Sequence, residues 1–245
     1  MELYDLHCHI DLMPSMERFA NEAAKTHIGI LAVTTTPKAY VKEISVLHSF
    51  NNVKIGLGLH PQLVLERYSE LSLIEKYIDS INYVGEIGLD FNNQFYASKE
   101  KQIDVFDNII KWCSKKSGKV ISIHAVRSTK SVLDILEKYR CTEDNKCIFH
   151  WFSGSFAQLQ QAVEMKCLFS VNGAMLKSEN GQMLIKNIPP ESILIETDAP
   201  FVNEIINIKQ LKKELIEIES ALTSFFGINI IGLIHTKSKT LLSMD

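Results

Sequence analysis

The chain opens with a stretch whose residue types could hold a metal ion. Glu2-Leu3-Tyr4-Asp5-Leu6-His7-Cys8-His9 has the length and apolar content of a β-strand, and in a strand residues two apart face the same way. Asp5, His7 and His9 are therefore expected on one side. Their imidazoles would lie roughly 6–7 Å apart along the backbone, near enough for both rings to turn onto one cation. Leu3, Leu6 and Cys8 read as packing residues. A lone His-x-His is more often the polar end of an ordinary strand, so its weight depends on what recurs downstream.

Much recurs. His60, Glu86, Asp90, His124, His150 and Asp198 each stand at or toward the carboxyl end of an apolar run. Imidazoles and carboxylates buried along apolar strands are costly unless something satisfies them, and a shared cation does so. Each has an ordinary reading by itself: His60 before Pro61 as a turn residue, Asp90 as a helix cap. Gathered at one rim they point to metal chemistry. Four histidines and two carboxylates as candidate ligands exceed what one tetrahedral ion takes. They suit two divalent cations with one carboxylate between them. His27, His48 and His235 fall on helices or helix-end turns and carry no expected role.

For these residues to meet, the elements must repeat in a fixed order, and they do. Strand-like runs at 2–9, 29–35, 53–60, 83–90, 119–125, 146–152, 167–173 and 193–198 alternate with helical patterns at 16–27, 37–50, 71–81, 98–116, 130–139, 155–166 and 181–187. Alternation on this scale predicts a parallel sheet, and eight units predict closure into a (β/α)8 TIM barrel. The carboxyl ends of its strands would then open onto the active site. An open doubly wound sheet is the alternative, but no GxGxxG turn follows the first strand. Within the ring the fourth strand lies between the two groups of ligands, which makes Glu86 the natural bridge. An amphipathic helix at 208–226, ended by Gly227, and a shorter one at 232–242 would close the barrel. Lys209, Lys212 and Lys213 read as a solvated helix face. Without linker or low-complexity segment, residues 1–245 read as one domain.

Composition sets further bounds. The 245 residues are 46% hydrophobic with a formal charge of −3, enough for a sizeable core but without a basic field for nucleic acid. A polyphosphate substrate would rely on bound cations for local positive charge. Five cysteines without a CxxC, with Cys141 and Cys147 read as unpaired, suggest reduced thiols. No run of membrane-spanning length and no basic-then-apolar start occurs, so a soluble cytoplasmic protein is expected.

The blocks Asp5-Leu6-His7-Cys8-His9, Gly58-Leu59-His60-Pro61, Gly85-Glu86-Ile87-Gly88-Leu89-Asp90, Ile123-His124, His150-Trp151-Phe152-Ser153-Gly154 and Glu196-Thr197-Asp198-Ala199-Pro200 together resemble the TatD family, metal-dependent deoxyribonucleases of the amidohydrolase-like barrels. Ser170-Val171-Asn172-Gly173 is similar to the family's seventh strand. The resemblance runs in order from residue 3 to about residue 200. It implies one metal held by His7, His9, Glu86 and Asp198 and a second held by Glu86, His124 and His150, the ions being Mg2+, Mn2+ or Zn2+. It implies that Asp198 steers or deprotonates the attacking water, that His60 lies near the substrate phosphate, and that Gln102 matches a family glutamine on the fourth helix.

Three positions depart from the family pattern. The arginine expected two residues after His124 is replaced by Val126, with Arg127 one later. Either the strand end bulges to return that guanidinium to the pocket or the contact is lost. The segment after Pro200 lacks the family's Pro- and Arg-rich loop, and Trp151 replaces a commoner small residue. The trimming is similar to a shortened QatD-like branch found in anti-phage defence operons. The leading expectation is therefore a dinuclear phosphodiesterase acting on DNA rather than RNA, on single strands or 3′ ends, with Asp198, Glu86 and His60 catalytic and His60, Gln102, Arg127 and Trp151 touching substrate. Phe91, Phe95 and Tyr96 are further stacking candidates. Two alternatives stand beside it: an amide or ester hydrolase of the same barrel type, disfavoured by Glu86 where such enzymes often place a modified lysine, and a scaffolding or partner-dependent subunit of a defence complex, docking through helix 208–226.

Overall fold

A computed structural model describes residues 2–243. Its strands are β1 (Leu3–Cys8), β2 (Ile28–Val33), β3 (Val53–Gly56), β4 (Tyr83–Asp90), β5 (Val120–Val126), β6 (Lys146–His150), β7 (Leu168–Val171) and β8 (Ile193–Ile195). All pair in parallel, in one ladder β1-β2-β3 and another β4-β5-β6-β7-β8. Single bridges, Leu57 to Val84 and Cys8 to Ala199, join the two ladders at both seams and complete the ring. The expected (β/α)8 barrel is the observed fold.

The crossovers are α1 (Met16–Lys25), α2 (Pro37–Leu47), α3 (Leu71–Tyr77), α4 (Lys99–Cys113), α5 (Thr129–Lys138), α6 (Phe156–Glu164) and α7 (Glu179–Lys186). They start where the side chains dictate. Ser15 and Thr36 accept the third amide of α1 and α2, and Ser155 with Gln158 forms a capping box on α6. The tail forms α8 (Ile208–Phe226), ended by Gly227 at φ 83°, and α9 (Asn229–Leu241), which begins three residues earlier than its pattern suggested. Ile208, Leu211, Leu215, Ile218 and Leu222 of α8 are buried within the chain's own core, so the face proposed for a partner is already used. Among the described residues no helix is long and apolar enough to cross a membrane.

Two apolar clusters follow from the strand period. One joins the outward faces of the strands to the helices. The other fills the lower barrel with Tyr4, Leu6, Leu31, Val33, Val120, Ile148, Leu168 and Leu194, plugged from below by Leu241 and Leu242. Continuing each inward series upward (Ser122 and His124 after Val120, His150 after Ile148, Ser170 after Leu168, Glu196 after Leu194) replaces apolar side chains by polar ones. The site therefore sits on the upper layer of a packed interior.

Two bulges tune that layer. In β1, Asp5 pairs with Ile30 and Cys8 with Ala32, so three steps on one strand face two on the other. The extra residue puts Asp5 and Cys8 on one face and turns His7 to the inside. The expectation that Asp5, His7 and His9 share a face is thus corrected: the two imidazoles point inward, while Asp5 accepts from Thr197 N (3.0 Å) and Thr197 Oγ1 (2.6 Å). In β4 the same slip falls between Val84 and Ile87, at Glu86. Here backbones crowd. A Cβ on Gly58 would lie 2.2 Å from Thr34 O and 2.3 Å from Glu86 N, so no larger residue fits.

β3 and β8 are shorter than their apolar runs, for visible reasons. Past Gly56 the end of β2 bonds directly to β4, with Glu86 N to Thr34 O at 3.2 Å and Thr34 N to Gly85 O at 3.1 Å. Past Ile195, Thr197 is held by Asp5 and Asp198 N donates to His7 O (3.0 Å). Asp198 takes φ 50°, a left-handed value that Asp tolerates better than most residues.

Candidate metal centre

Glu86 is the hub. Its carboxylate is 1% exposed and its two oxygens face different neighbours. Oε2 lies 3.5 Å from His7 Nε2 and 3.4 Å from His9 Nε2, and those two nitrogens lie 3.8 and 3.5 Å from Asp198 Oδ1. Oε1 lies 2.7 Å from His124 Nδ1, 2.9 Å from His150 Nε2 and 3.2 Å from His60 Nε2. The rings are tightly set: His7 stacks on His150 with centroids 4.0 Å apart, and His7 and His9 meet edge to face at 5.1 Å.

These donors fit divalent cations. His7 Nε2 and Asp198 Oδ1 are buried without a hydrogen-bond partner among the described residues, a state that normally requires an explanation. An ion with bonds near 2.1 Å in tetrahedral geometry sets its donors about 3.4 Å apart, and the separations in the first group span 3.4 to 3.8 Å. The second group, Glu86 Oε1 with His124 and His150, is drawn closer by direct hydrogen bonds. Imidazole and carboxylate without thiolate suit Zn2+, Mn2+ or Mg2+ in varying degree.

The electrostatics agree. Burial alone would raise the Glu86 carboxyl, but His60, His150 and His124 hold it well below the ordinary carboxylate range. Burial disfavours charge on His9, yet Asp198 and Glu86 outweigh it and push its pKa up to about 10. Against the same burial, Glu86 and Glu196 carry His150 well above its ordinary value. His7 and His60 go down, chiefly through burial. The cluster as a whole attracts positive charge, which a divalent ion would supply.

Behind the imidazoles stand further polar groups, hydrogen-bonded to two of the rings and only near the other two. His7 Nδ1 lies 2.8 Å from Ser122 Oγ, His124 Nε2 lies 3.1 Å from Asp90 Oδ2, His150 Nδ1 lies 3.6 Å from Glu196 Oε1, and His9 Nδ1 lies 3.9 Å from Asp11 Oδ1. The hydrogen-bonded partners of His7 and His124 fix ring orientation, whereas Glu196 and Asp11 act on His150 and His9 through charge, without a hydrogen bond. His60 differs. Its Nδ1 accepts the Gln62 N–H (3.2 Å), so in the neutral ring the proton sits on Nε2, the atom facing Glu86. A ring protonated there donates a hydrogen bond instead of binding metal.

Glu196, Ser122, Ser170, Asn172, Asp11 and Gln62 were not among the expected site residues. Glu196 is fully buried. It accepts from Ser170 Oγ, from Asn172 Nδ2 (2.9 Å) and from Trp151 N (3.1 Å). Its signal was available: it lies two residues after inward Leu194, as Ser122 lies two before His124.

The substrate-side expectations fare unevenly. His60, Gln62, Trp151 and Phe201 line a cavity of about 370 Å3 above the cluster. Trp151 is 37% exposed and Phe201 62%, with Phe201 edge-on to His9 at 5.1 Å. Gln102 is corrected. It is fully buried and its amide is spent on the chain, Oε1 accepting Asp90 N (2.7 Å) and Nε2 donating to Asp90 O, Phe95 O and Ser98 Oγ. It clamps the turn after β4 and leaves no group for a substrate. Arg127 is also corrected: at φ 53° its side chain is exposed, reaches Asn93 Oδ1 at 3.4 Å and does not line the metal cavity. Phe91 and Tyr96 pack with Lys99 beside the α4 start, and neither they nor Phe95 line that cavity.

Comparison with known proteins bears on this geometry. The chain is 25% identical to human deoxyribonuclease TATDN3 over 217 residues, 81% of this chain and 78% of that one. It is 28% identical to the uncharacterized metal-dependent hydrolase YjjV of Escherichia coli over 211 residues, 80% and 78% of the two chains. The fold matches the crystal structure of a TatD-family hydrolase from Entamoeba histolytica with a TM-score of 0.79 at 18% identity, covering 100% of this chain and 98% of the other. It matches YjjV itself at 0.76 and 20%, covering 98% and 97%. The family model described as TatD related DNase spans residues 4–222, from the first inward residue of β1 through most of α8; the chain belongs to that family and is a metal-dependent hydrolase.

Proposed function

We propose that the chain hydrolyses phosphodiester bonds of DNA at a site holding two divalent cations, Mg2+, Mn2+ or Zn2+. The observation that carries this reading is the division of Glu86, one oxygen toward His7 and His9 beside Asp198, the other toward His124 and His150. Bound there, the cations would acidify a water and neutralise charge on the phosphoryl oxygens. The chain's own residues do the rest. Asp198 Oδ1 faces the cluster, and His9, His150 and His7 keep its carboxyl below the ordinary range despite burial, so it is ready to take the proton of the attacking water. His60, protonated on Nε2, donates to a phosphoryl oxygen. Trp151 and Phe201 stand at the mouth as surfaces on which unpaired bases stack, favouring a splayed strand over a duplex. The family relatives called deoxyribonucleases support DNA as the substrate. Five free, buried cysteines suit a reducing compartment such as the cytoplasm.

The test is cleavage of labelled single-stranded DNA, RNA and bis(4-nitrophenyl) phosphate with each metal. Glu86→Ala and Asp198→Asn should abolish metal-dependent cleavage while leaving the circular dichroism spectrum unchanged. Full activity in either variant would refute the assignment.

A further inference from the structure

Along α2 the residues turned inward are Pro37, Tyr40, Glu43 and Leu47, the three- and four-residue spacing of a helix face packed on a core. One of the four is a carboxylic acid. Glu43 is fully buried, and neither of its oxygens makes a hydrogen bond among the described residues. Burial of such a group without a partner is costly. A leucine would fill the stripe without that cost, so the acid asks for a reason beyond packing.

Its neighbours share the same condition. The charges that act on Glu43 are those of Asp11 and His9. Asp11 Oδ2 accepts from Thr35 Oγ1 (3.2 Å) and Thr35 N (3.5 Å). Its other oxygen, Oδ1, lies 3.9 Å from His9 Nδ1, too far for a hydrogen bond. Of the eight buried side-chain atoms without a partner among the described residues, four are Glu43 Oε1 and Oε2, Asp11 Oδ1 and His9 Nδ1. Glu43 joins the other two from a different element, so proximity in sequence does not explain the gathering.

Neighbouring buried donors and acceptors separated by more than about 3.5 Å are commonly bridged by water. His9, Asp11 and Glu43 are not among the groups of described residues close enough to share an ion. A water suits them. With Nε2 of His9 toward Glu86 and Asp198, the ring carries its proton on Nδ1 and donates it. The water accepts that proton and donates once to Asp11 Oδ1 and once to Glu43.

We propose that Glu43 is a positioning residue for the metal centre: with Asp11 it holds a buried water that accepts the His9 Nδ1–H and fixes the ring whose Nε2 faces Glu86 and Asp198. The proposal rests on the reading of His7, His9, Glu86 and Asp198 as ligands of one ion, and extends that site to a residue on a crossover helix. Glu43 does not line the metal cavity; it acts through the water and the ring.

Two variants separate positioning from packing. Leucine suits the apolar stripe and cannot bond the water, whereas glutamine can. Zn2+ affinity, measured by competition with a chromogenic chelator, should fall about tenfold in Glu43→Leu and stay within about twofold of the unaltered chain in Glu43→Gln, the first being the lower end of the range for partners behind metal ligands. The melting temperature of metal-free Glu43→Leu should hold or rise, which a merely structural role would not combine with weaker metal binding. Loss of affinity in both variants, or in neither, would overturn the proposal. An unaltered chain that binds no Zn2+ would overturn the ligand reading and this role with it, whereas normal binding without the leucine effect overturns the role alone. Should Glu43→Leu lose stability or fail to fold, a crystal structure of the Zn2+-loaded unaltered chain decides. One water within about 3.2 Å of His9 Nδ1, Asp11 Oδ1 and a Glu43 oxygen is expected; its absence, or an ion in its place, would overturn the proposal.

Discussion

Replacing Glu196 by Gln removes one negative charge behind the metal centre while keeping side-chain size. The Glu196 carboxylate lies 3.6 Å from the rear nitrogen of His150, whose front nitrogen is 2.9 Å from Glu86, and with His7 and His150 it forms a further group close enough to share an ion. At an effective dielectric of 20, a unit charge pair at that distance is worth about 5 kcal/mol before compensation. Ser170, Asn172 and the Trp151 amide already donate to Glu196, and the amide can keep Oε1 as their acceptor while turning Nε2 to Ser170. The net loss should therefore fall within the range for partners behind metal ligands, about 10- to 100-fold in affinity or about 1.4–2.8 kcal/mol. Competition against a chromogenic chelator measures it, with circular dichroism as the check on folding. Activity should return at saturating metal, because no group in contact with substrate has changed. Wild-type affinity and stoichiometry in Glu196→Gln would refute the claim that Glu196 sets the basicity of His150.

Two other predictions concern the surroundings of the site. Glu43 on α2 is fully buried with both carboxylate oxygens unpartnered among the described residues, and burial, with Asp11 nearby, pushes its pKa up to about 8. A carboxyl raised in the folded state contributes stability that is complete below its unfolded pKa and lost as pH rises through the folded one. Urea unfolding of metal-free protein should therefore show stability falling between about pH 5 and pH 8, by up to roughly 5 kcal/mol, and Glu43→Gln should flatten this component; parallel curves would mean an ionised, partnered Glu43. Phe201→Ala should raise KM for single-stranded DNA by the equivalent of about 1–3 kcal/mol without altering dye hydrolysis, and equal effects on both substrates would dismiss it as a stacking surface.

What could be read from the sequence was whatever depends on period and chain order. Alternating apolar runs announced eight strands, and histidines and carboxylates at their ends announced the rim; His124, His150 and Asp198 lie in phase with the inward residues below them. What could not be read were changes of phase. The bulge between Asp5 and Cys8 sends Asp5 to Thr197 and only the imidazoles inward, and nothing in Asp5-Leu6-His7-Cys8-His9 marks the extra step. Position on a helix suggests a substrate contact for Gln102, but whether an amide closes onto its own backbone depends on where the turn after β4 passes. Glu196 and Asp198, two residues apart in sequence, look like equivalent carboxylates; only the ring of donors around Glu196 separates their parts.

The ring of strands has a further consequence. It consists of a three-stranded and a five-stranded arc that meet, at each joint, through one ladder bridge and a few hydrogen bonds beside it. The shorter arc supplies His7 and, just past its end, His9; the longer supplies Glu86 from beside one joint, while Asp198 sits at the other. Any ion gripped by those four residues would act as a rivet through both arcs, so stripping the ions should loosen the joints themselves, and the closed shape of the protein would be in part a property of its cargo.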